Sequence, residues 1–327
     1  MRKRIFIILL GFTVYFVSCK VGKQYQQADY QLTMPSTYND GFSGDTTALV
    51  KWFDLFGDTA LQSIIKTTLA NNNNLLLAAN RVQEAMIQTA IIRINQYPSF
   101  NYQAQVGGGT AGNDALRVAG GLNSAVFKVG GLLNWEIDLW GKLRGATAAA
   151  QAEFLASTEN VNAIKVSLVA EAASLYFLLR DLDNRLLIAK RTVDVRKEST
   201  IIITQRYEKG YVAELDKFQA VQQEMQAAVL IPNLERQIVQ TENAINLLMA
   251  TTGKPISRGQ SIAYQQLLAK IPAGLPSQLL QRRPDIKAAE KLLNAQFERV
   301  GIAQASMYPS FSLTGLLGFA SPQVSSL

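Results

Sequence analysis

The residues that most enzymes use for acid–base or nucleophilic chemistry are scarce in this chain. Its 327 residues include one cysteine and no histidine. Ser-His-Asp triads, Cys-His pairs and imidazole metal ligands all require histidine, so none of them is possible here. A single cysteine also excludes a disulfide within the chain and a cysteine-rich zinc site. The sequence therefore predicts a protein that is not an enzyme and that holds no metal ion or cofactor.

Three motifs resemble chemical sites, and the sequence around each of them favours a structural role. Glu136 and Asp138 lie two residues apart, as an acid–base pair could, but no third catalytic group accompanies them. The glycine-rich run at 107–112 follows a strand but does not open the helix that a dinucleotide site requires, so we interpret it as a hairpin loop. The charged residues at 282–285 could contact a phosphate, but charges at a helix entry also stabilise the helix end.

The N-terminal segment predicts export from the cytoplasm. Three basic residues at positions 2–4 precede an apolar run at 5–17, which is too short to span a membrane and is typical of a secretory signal. The run ends at Ser18 and Cys19, as in a bacterial lipobox, so we expect a signal peptide at 1–18 and lipid attached to Cys19. An ordinary cleaved signal is the alternative. The three basic residues at 2–4 account for part of the formal net charge of +7. The charge that remains is too small and too dispersed to indicate a nucleic-acid partner.

A long internal repeat organises the chain. The tetrapeptide Tyr-Pro-Ser-Phe at 97–100 recurs at 308–311, an offset of 211 residues, and in both places it closes a helical stretch and opens an alternating one. The first copy continues through a second strand and a helical hairpin to about residue 250. The same offset predicts an intact product of about 461 residues, so we expect the second repeat to be incomplete.

The alternating stretches predict strands with one apolar and one polar face. Phe100, Tyr102, Ala104 and Val106 share a face, and further runs at 127–138 and 310–319 repeat the pattern. A soluble sandwich and a membrane barrel both produce this alternation. The envelope address and the long helices favour the barrel, whose lumen would then be lined by Asn101, Gln103, Gln105, Lys128, Asn134, Glu136 and Asp138. We expect the last two to hydrate the pore and to favour cations, next to a bend at Gly141.

The helical segments predict coiled coils. No proline or glycine occurs from Ala146 to Lys209, and apolar residues recur there at alternating spacings of three and four, which is the coiled-coil period. Gly210 breaks this helix, and a second helix is predicted to about Ala250. Pro232 predicts a kink or a split in it.

Several longer stretches are specific enough to indicate a family. They are Trp52-Phe53 through Leu75-Ala78, Trp135-Glu136-Ile137-Asp138-Leu139-Trp140-Gly141-Lys142-Leu143-Arg144, Arg206-Tyr207-Glu208-Lys209-Gly210 with Leu215-Asp216, Arg282-Arg283-Pro284-Asp285-Ile286-Lys287-Ala288-Ala289-Glu290, and the second tetrapeptide. In these stretches the chain resembles the TolC-like family of bacterial outer-membrane efflux proteins, and in particular the lipoprotein branch that serves resistance-nodulation-division pumps.

The resemblance implies an α+β membrane protein that works as a homotrimer. Each protomer would give four strands to one twelve-stranded outer-membrane β-barrel, and its antiparallel coiled-coil hairpins would form a tube across the periplasm. The tip of the hairpin would dock a periplasmic adaptor (membrane fusion) protein bound to an inner-membrane pump. The tip residues are Gly210, Tyr211, Val212, Ala213, Leu215 and Asp216. Structural roles are expected for Trp135, as a membrane-interface anchor, and for Gly141, Arg283, Pro284 and Asp285.

The expected organisation follows the repeat. It comprises a signal peptide (1–18), a lipid-anchored extended segment (19–58), a helix of repeat 1 (59–97), a barrel hairpin (98–140), a periplasmic coiled-coil hairpin (141–250), an equatorial connector (251–276), a helix of repeat 2 (277–308) and a third, truncated barrel strand (309–327).

The sequence thus predicts a passive trimeric exit duct for small molecules in a tripartite efflux system. The protein would be anchored in the outer membrane by lipid and would extend into the periplasm. The alternatives are a structural envelope lipoprotein that acts as a coiled-coil tether, and an exit duct for type I protein secretion or for metal ions.

Overall fold

The computed structural model describes residues 56–108, 125–259 and 281–321. Within these ranges the chain is mostly helical, with three strands. The elements are α1 (Thr59–Asn71), α2 (Asn73–Ile94), β1 (Ser99–Gly108), β2 (Ala125–Ile137), α3 (Lys142–Glu208), α4 (Glu214–Ala228), α5 (Leu230–Leu248), α6 (Pro284–Ala305) and β3 (Phe311–Ser321). The described residues form two compact units. A strand unit contains those of 81–158 and 287–321, and a helical unit contains those of 56–80, 159–259 and 281–286.

The strand unit is built on an antiparallel sheet in the order β1-β2-β3. Its register pairs Phe100 with Leu133 and Tyr102 with Gly131 across β1 and β2. It pairs Trp135 with Leu313 across β2 and β3. Because side chains alternate along each strand, this register places most of the large apolar residues of the three strands on one face. The strands predicted from the alternation, each with two different faces, are confirmed.

The core of the helical unit lies between α1, α3 and α5. Leu61, Ile65 and Tyr176 are fully buried there, together with Leu179 and Ile245. The predicted coiled-coil residues of α3 supply much of this core: Leu168, Ala172, Leu179, Leu182 and Ala189 are buried. At 67 residues, α3 extends for about 100 Å at 1.5 Å per residue.

The single helix expected at 59–97 is wrong, because Asn72 divides it into α1 and α2. Asn72 is extended, with φ −61° and ψ 124°, and its Oδ1 accepts hydrogen bonds from the backbone N–H groups of Asn74 and Leu75. Its Nδ2 donates to the carbonyl of Leu248 at 2.8 Å. The side chain therefore caps α2 and also satisfies a carbonyl at the C-terminal end of α5.

The second helix of the hairpin is also divided, close to Pro232, where a kink or a split was predicted. α4 ends at Ala228, and α5 begins at Leu230, so Pro232 lies in the first turn of α5. Proline is tolerated there because first-turn N–H groups have no partner within the helix. In repeat 2, Pro284 is the first residue of α6.

Candidate functional site

The polar face of the sheet collects six of the seven residues that the sequence predicted for a lumen. In the register, Gln105 lies opposite Lys128, and Asn134 lies opposite both Ser99 and Thr314. Asn101, Gln103 and Glu136 lie on the same face. Sequence analysis missed two apolar members, Leu132 and Leu316, which pair with each other across β2 and β3. Their period-two positions in the sequence would have been enough to place them on this face.

Two glycines pair with each other on the polar face, and one of them, Gly318, leaves no room for a side chain. Gly130 pairs with Gly318. A Cβ atom on Gly318 would lie 2.6 Å from the carbonyl oxygen of Val129 and 2.7 Å from the Cα atom of Gly130. β2 and β3 therefore approach too closely for any larger residue at this point, and the polar face has a gap between Lys128 and Leu132.

The opposite face exposes large apolar side chains. Tyr102 is 95% exposed, and Phe100, Leu317 and Phe319 are exposed as well. A groove of about 430 Å³ lies among residues of all three strands, including Phe100, Leu133 and Leu317. A contiguous apolar surface of this kind indicates contact with a partner or with a membrane.

Asp138 has a different environment from the one that its spacing predicted. β2 ends at Ile137, and Asp138 accepts hydrogen bonds from the backbone N–H groups of Leu143 and Arg144, at 3.2 and 2.9 Å. It also pairs with the Arg144 side chain at 3.2 Å. Asp138 therefore lies at the junction where the bend at Gly141 was expected, but it satisfies the N-terminus of α3 and is not part of the strand face. Glu136 is paired too, with Lys142 at 3.1 Å.

Two tryptophans form hydrogen bonds with the turns that lead from helix to strand in the two repeats. Trp135 Nε1 donates to the Gln96 carbonyl at 3.1 Å. Trp140 Nε1 donates to the Pro309 carbonyl at 2.8 Å and stacks on Tyr308 with ring centroids 4.9 Å apart. Gly141, at φ +78°, makes the bend from β2 into α3 in a conformation that other residues rarely adopt.

The turn between α3 and α4 has a well-defined geometry. Gly210 has φ +76°, its N–H donates to the Tyr207 carbonyl, and the Tyr211 N–H donates to the Arg206 carbonyl. This pattern is a Schellman motif, which satisfies the last carbonyls of α3. Asp216 accepts from the Ala213 N–H at 3.1 Å and so stabilises the start of α4.

The same turn presents apolar side chains to its surroundings. Tyr211 is 77% exposed, and Leu215 and Phe218 are exposed, whereas Val212 is half-buried. The Lys217 ammonium lies 5.2 Å from the centre of the Tyr207 ring and links the two helices below the turn. The predicted tip is therefore a rigid turn with an exposed apolar surface.

At the start of α6, Arg283 and Asp285 form an exposed ion pair at 2.6 Å. The hydrogen bond to Asp285 raises the pKa of Arg283, and the hydrogen bond from Arg283 lowers the pKa of Asp285. Asp285 also accepts from the Ile286 N–H, as expected for a negative charge in the first turn of a helix. The arrangement supports the structural role expected for this motif.

Sequence analysis missed a buried polar cluster in the helical unit. The Tyr176 hydroxyl donates to Asp58 Oδ2 at 2.7 Å and accepts from the Gly259 N–H at 3.0 Å. Burial and the bond to Asp58 raise the pKa of Tyr176 to about 12. Arg258, which directly precedes Gly259, pairs with Asp183 and Glu242. Separations of 118 and 83 residues gave no signal in the sequence.

Some predicted sites lie outside the described residues. They include Cys19, Trp52 and most of the glycine-rich run at 107–112. Among the residues that the structure describes, no three Asp, Glu, His or Cys side chains come together in a group that could hold a metal ion.

Comparison with known proteins identifies what the chain is similar to. Residues 64–251 and 275–327 match the family described as "Outer membrane efflux protein". The solvent efflux pump outer membrane protein SrpC of Pseudomonas putida is 32% identical over 316 residues, which cover 94% of this chain and 67% of SrpC. The cation efflux system protein CusC of an Escherichia coli O6:H1 strain is 31% identical over 84% of this chain and 59% of CusC.

A solved structure of an outer membrane channel is also similar to this chain. The open state of the MtrE outer membrane channel of Neisseria gonorrhoeae superimposes with a TM-score of 0.80 at 27% identity. The match covers 94% of this chain and 68% of that channel.

Proposed function

Because the chain belongs to the outer membrane efflux protein family, we propose that several copies of it together enclose the passive exit duct of a tripartite exporter. The family and the outer-membrane location that the sequence motifs indicated are confirmed. The relatives are channel components and pump subunits by their names, and we propose that this chain likewise performs no chemistry of its own.

The observation that carries the proposal is the two-faced sheet, whose two outer strands each have an edge that pairs with no other strand among the described residues. β1 and β3 are the outer strands of the described sheet. Lipid offers no hydrogen bonds, so backbone groups at such edges must pair with further strands once the sheet lies in a membrane. The apolar face would then contact lipid and the polar face would line water, as in outer-membrane barrels. Three copies that close one barrel satisfy both requirements.

The helices supply a second reason for association between copies. Large apolar residues remain exposed along α2, α3 and α5, for example Ile91, Ile188 and Leu247. An 18-residue stretch of α3 is even apolar enough by composition to cross a membrane, and only 22% of it is buried within the chain. We assign this exposed surface to packing between copies, because most of the coiled-coil positions of α3 are already buried within the chain whereas these apolar residues have no such cover.

The tip between α3 and α4 is proposed as the adaptor-docking surface. Its support is the exposed Tyr211 and Leu215 on a turn fixed by the Schellman motif. We expect Tyr211→Glu with Val212→Glu, in the complete gene product, to abolish crosslinking to the periplasmic adaptor protein, because a charge would remain unpaired in an apolar interface. Trimer yield should be unchanged. Gln222→Glu is the control, since it adds a charge at an exposed residue of α4 away from the turn. Undiminished crosslinking in the double variant would refute this docking site.

Cys19 is proposed as the lipid attachment site. The support is its position directly after the predicted signal, as the only cysteine of the chain. Cells fed labelled palmitate should incorporate label into the unsubstituted protein and not into Cys19→Ala. Equal labelling of both would contradict the proposal.

The names of the relatives do not narrow the cargo to one compound, because one refers to a solvent and another to a cation. We propose small molecules that pass through a water-filled lumen. The coiled-coil tether has no need of strands with one lipid-suited face and one water-suited face, so the sheet disfavours it.

The test of the duct is electrical. The purified complete gene product, added to a planar lipid bilayer, should produce discrete and reproducible steps of single-channel current. A tether would bind the bilayer and leave its conductance at the background level, and that result would contradict the proposal.

A further inference from the structure

Among the described residues, the polar face of the sheet together with its ion-pair partners carries more positive than negative charge. Glu136 and Asp138 have basic partners in Lys142 and Arg144. Lys128 has no ion pair with any residue that the structure describes, and its cross-strand neighbours, Gln105 and Ala320, are uncharged. The cation preference expected from the two carboxylates therefore loses its basis, and the unbalanced group is an ammonium.

Among the residues that the structure describes, the nearest carboxylate on this face is too far away to neutralise Lys128. Glu136 lies eight residues further along β2, which corresponds to about 27 Å at 3.4 Å per residue. This distance exceeds the Debye length of about 8 Å at physiological ionic strength. An anion close to Lys128 would consequently experience the ammonium and little of the carboxylate.

An apolar patch lies beside this charge on the same face. Gly130 and Gly318 follow Lys128 along the sheet and leave a gap without side chains. Beyond the gap, Leu132 pairs with Leu316, which is 70% exposed. From Lys128 to Leu132 is about 14 Å along the strand, and the long lysine side chain can bend across part of that distance. One molecule could therefore place its charged group beside Lys128 and its hydrocarbon group against Leu132 and Leu316.

We propose that Lys128, the Gly130–Gly318 gap and the Leu132–Leu316 pair form a transit subsite for amphiphilic organic anions. The proposal rests on the proposed function, because only closure of several copies turns this face into a lumen. The ammonium attracts the anionic group, and the leucine pair removes part of the hydrocarbon from water. Repetition in each copy makes a ring of such subsites. Inorganic anions use the ammonium alone, and cations are repelled by it.

The experiment measures the same bilayer currents under two conditions. A potassium chloride gradient gives the reversal potential, which reports anion against cation preference, and added octanesulfonate gives the concentration that halves the current. Lys128→Gln should move the reversal potential towards cation preference and raise the half-blocking concentration about tenfold, whereas Lys128→Arg should keep both values. Leu316→Ser should weaken octanesulfonate block without moving the reversal potential, and Leu316→Val should preserve the block.

The outcomes separate this subsite from the duct itself. An unchanged reversal potential and unchanged block in Lys128→Gln, with normal current steps, would overturn the subsite and leave the duct intact. Unchanged block in Leu316→Ser would overturn the apolar half of the subsite. Absence of current from the unsubstituted protein would refute the duct, and the subsite with it.

Discussion

At the scale of single residues, a few polar side chains hold together segments that are far apart in the sequence. Asn72 ends one helix, begins the next and binds the last turn of α5. Tyr176 joins Asp58, which caps α1, to the backbone of Gly259. Buried hydrogen bonds of this kind add little net energy when they are made but cost more when one partner is removed. They fix where α1 meets α3 and α5, and where the segment that follows α5 meets α3.

Tyr176 provides a direct test at this scale. Tyr176→Phe leaves Asp58 Oδ2 and the Gly259 N–H without this partner, so the free energy of unfolding should fall by about 1–3 kcal/mol. Tyr211→Phe, at an exposed tyrosine, should change it by less than about 0.5 kcal/mol. Thermal unfolding of the detergent-solubilised protein measures both. Equal effects of the two substitutions would contradict the role assigned to Tyr176.

The raised pKa of Tyr176 gives this cluster a defined dependence on pH. The folded-state pKa of about 12 lies above the ordinary value of 10.0, so the neutral hydroxyl is favoured by folding. This contribution is complete below pH 10 and is lost as the pH rises from 10 to 12. The stability advantage of the unsubstituted protein over Tyr176→Phe should shrink across that interval. An advantage that grew with pH there would contradict the assignment.

At the scale of elements, side-chain hydrogen bonds hold the junction between β2 and α3 in the strand unit. The bend at Gly141 lies between Asp138, which satisfies the first N–H groups of α3, and Trp140, which binds the Pro309 carbonyl. The rigidity of this junction depends on the helix cap more than on the exposed ion pairs beside it.

Asp138 and Glu136 form a matched pair for testing that statement. Asp138→Ala removes the cap of α3 and should cost about 1 kcal/mol of stability. Glu136→Gln breaks only the solvent-exposed pair with Lys142, and its cost should stay below about 0.5 kcal/mol. The melting temperatures of the two variants provide the measurement. A larger loss for Glu136→Gln would show that the ion pair, and not the cap, stabilises the junction.

Periodicity in the sequence was sufficient to predict the regular elements and the two faces of the sheet. The period-two pattern placed Tyr102 and Gln103 on opposite faces, and the three-and-four spacing placed Leu179 in a core. Periodicity reports only which side of an element is apolar. It could not reveal the contacts of Asn72 or Tyr176, which depend on how distant segments pack. The cap at Asp138 had a local signal, an acidic residue shortly before a helix.

At the scale of the whole molecule, the exposed apolar face and the edges of the sheet are both unfavourable in a single chain. Tyr102 and Leu317 are exposed on one face, while amides and Lys128 lie on the other. One chain in water would leave the first face unfavourably hydrated, and one chain in lipid would leave the sheet edges without hydrogen bonds. On the proposed function, closure between copies would remove both costs, and the enclosed volume would be the duct.

The most direct test of this account compares two neighbouring residues of β1 in a conducting channel. Gln103→Cys and Tyr102→Cys are treated, in separate bilayers, with a bulky water-soluble maleimide while single-channel current is recorded. We predict that Gln103→Cys loses current in three successive steps, one for each copy around a shared lumen. Tyr102→Cys, which would face lipid, and the unsubstituted protein should keep their full current. Complete modification of Gln103→Cys without any loss of current would contradict the central claim.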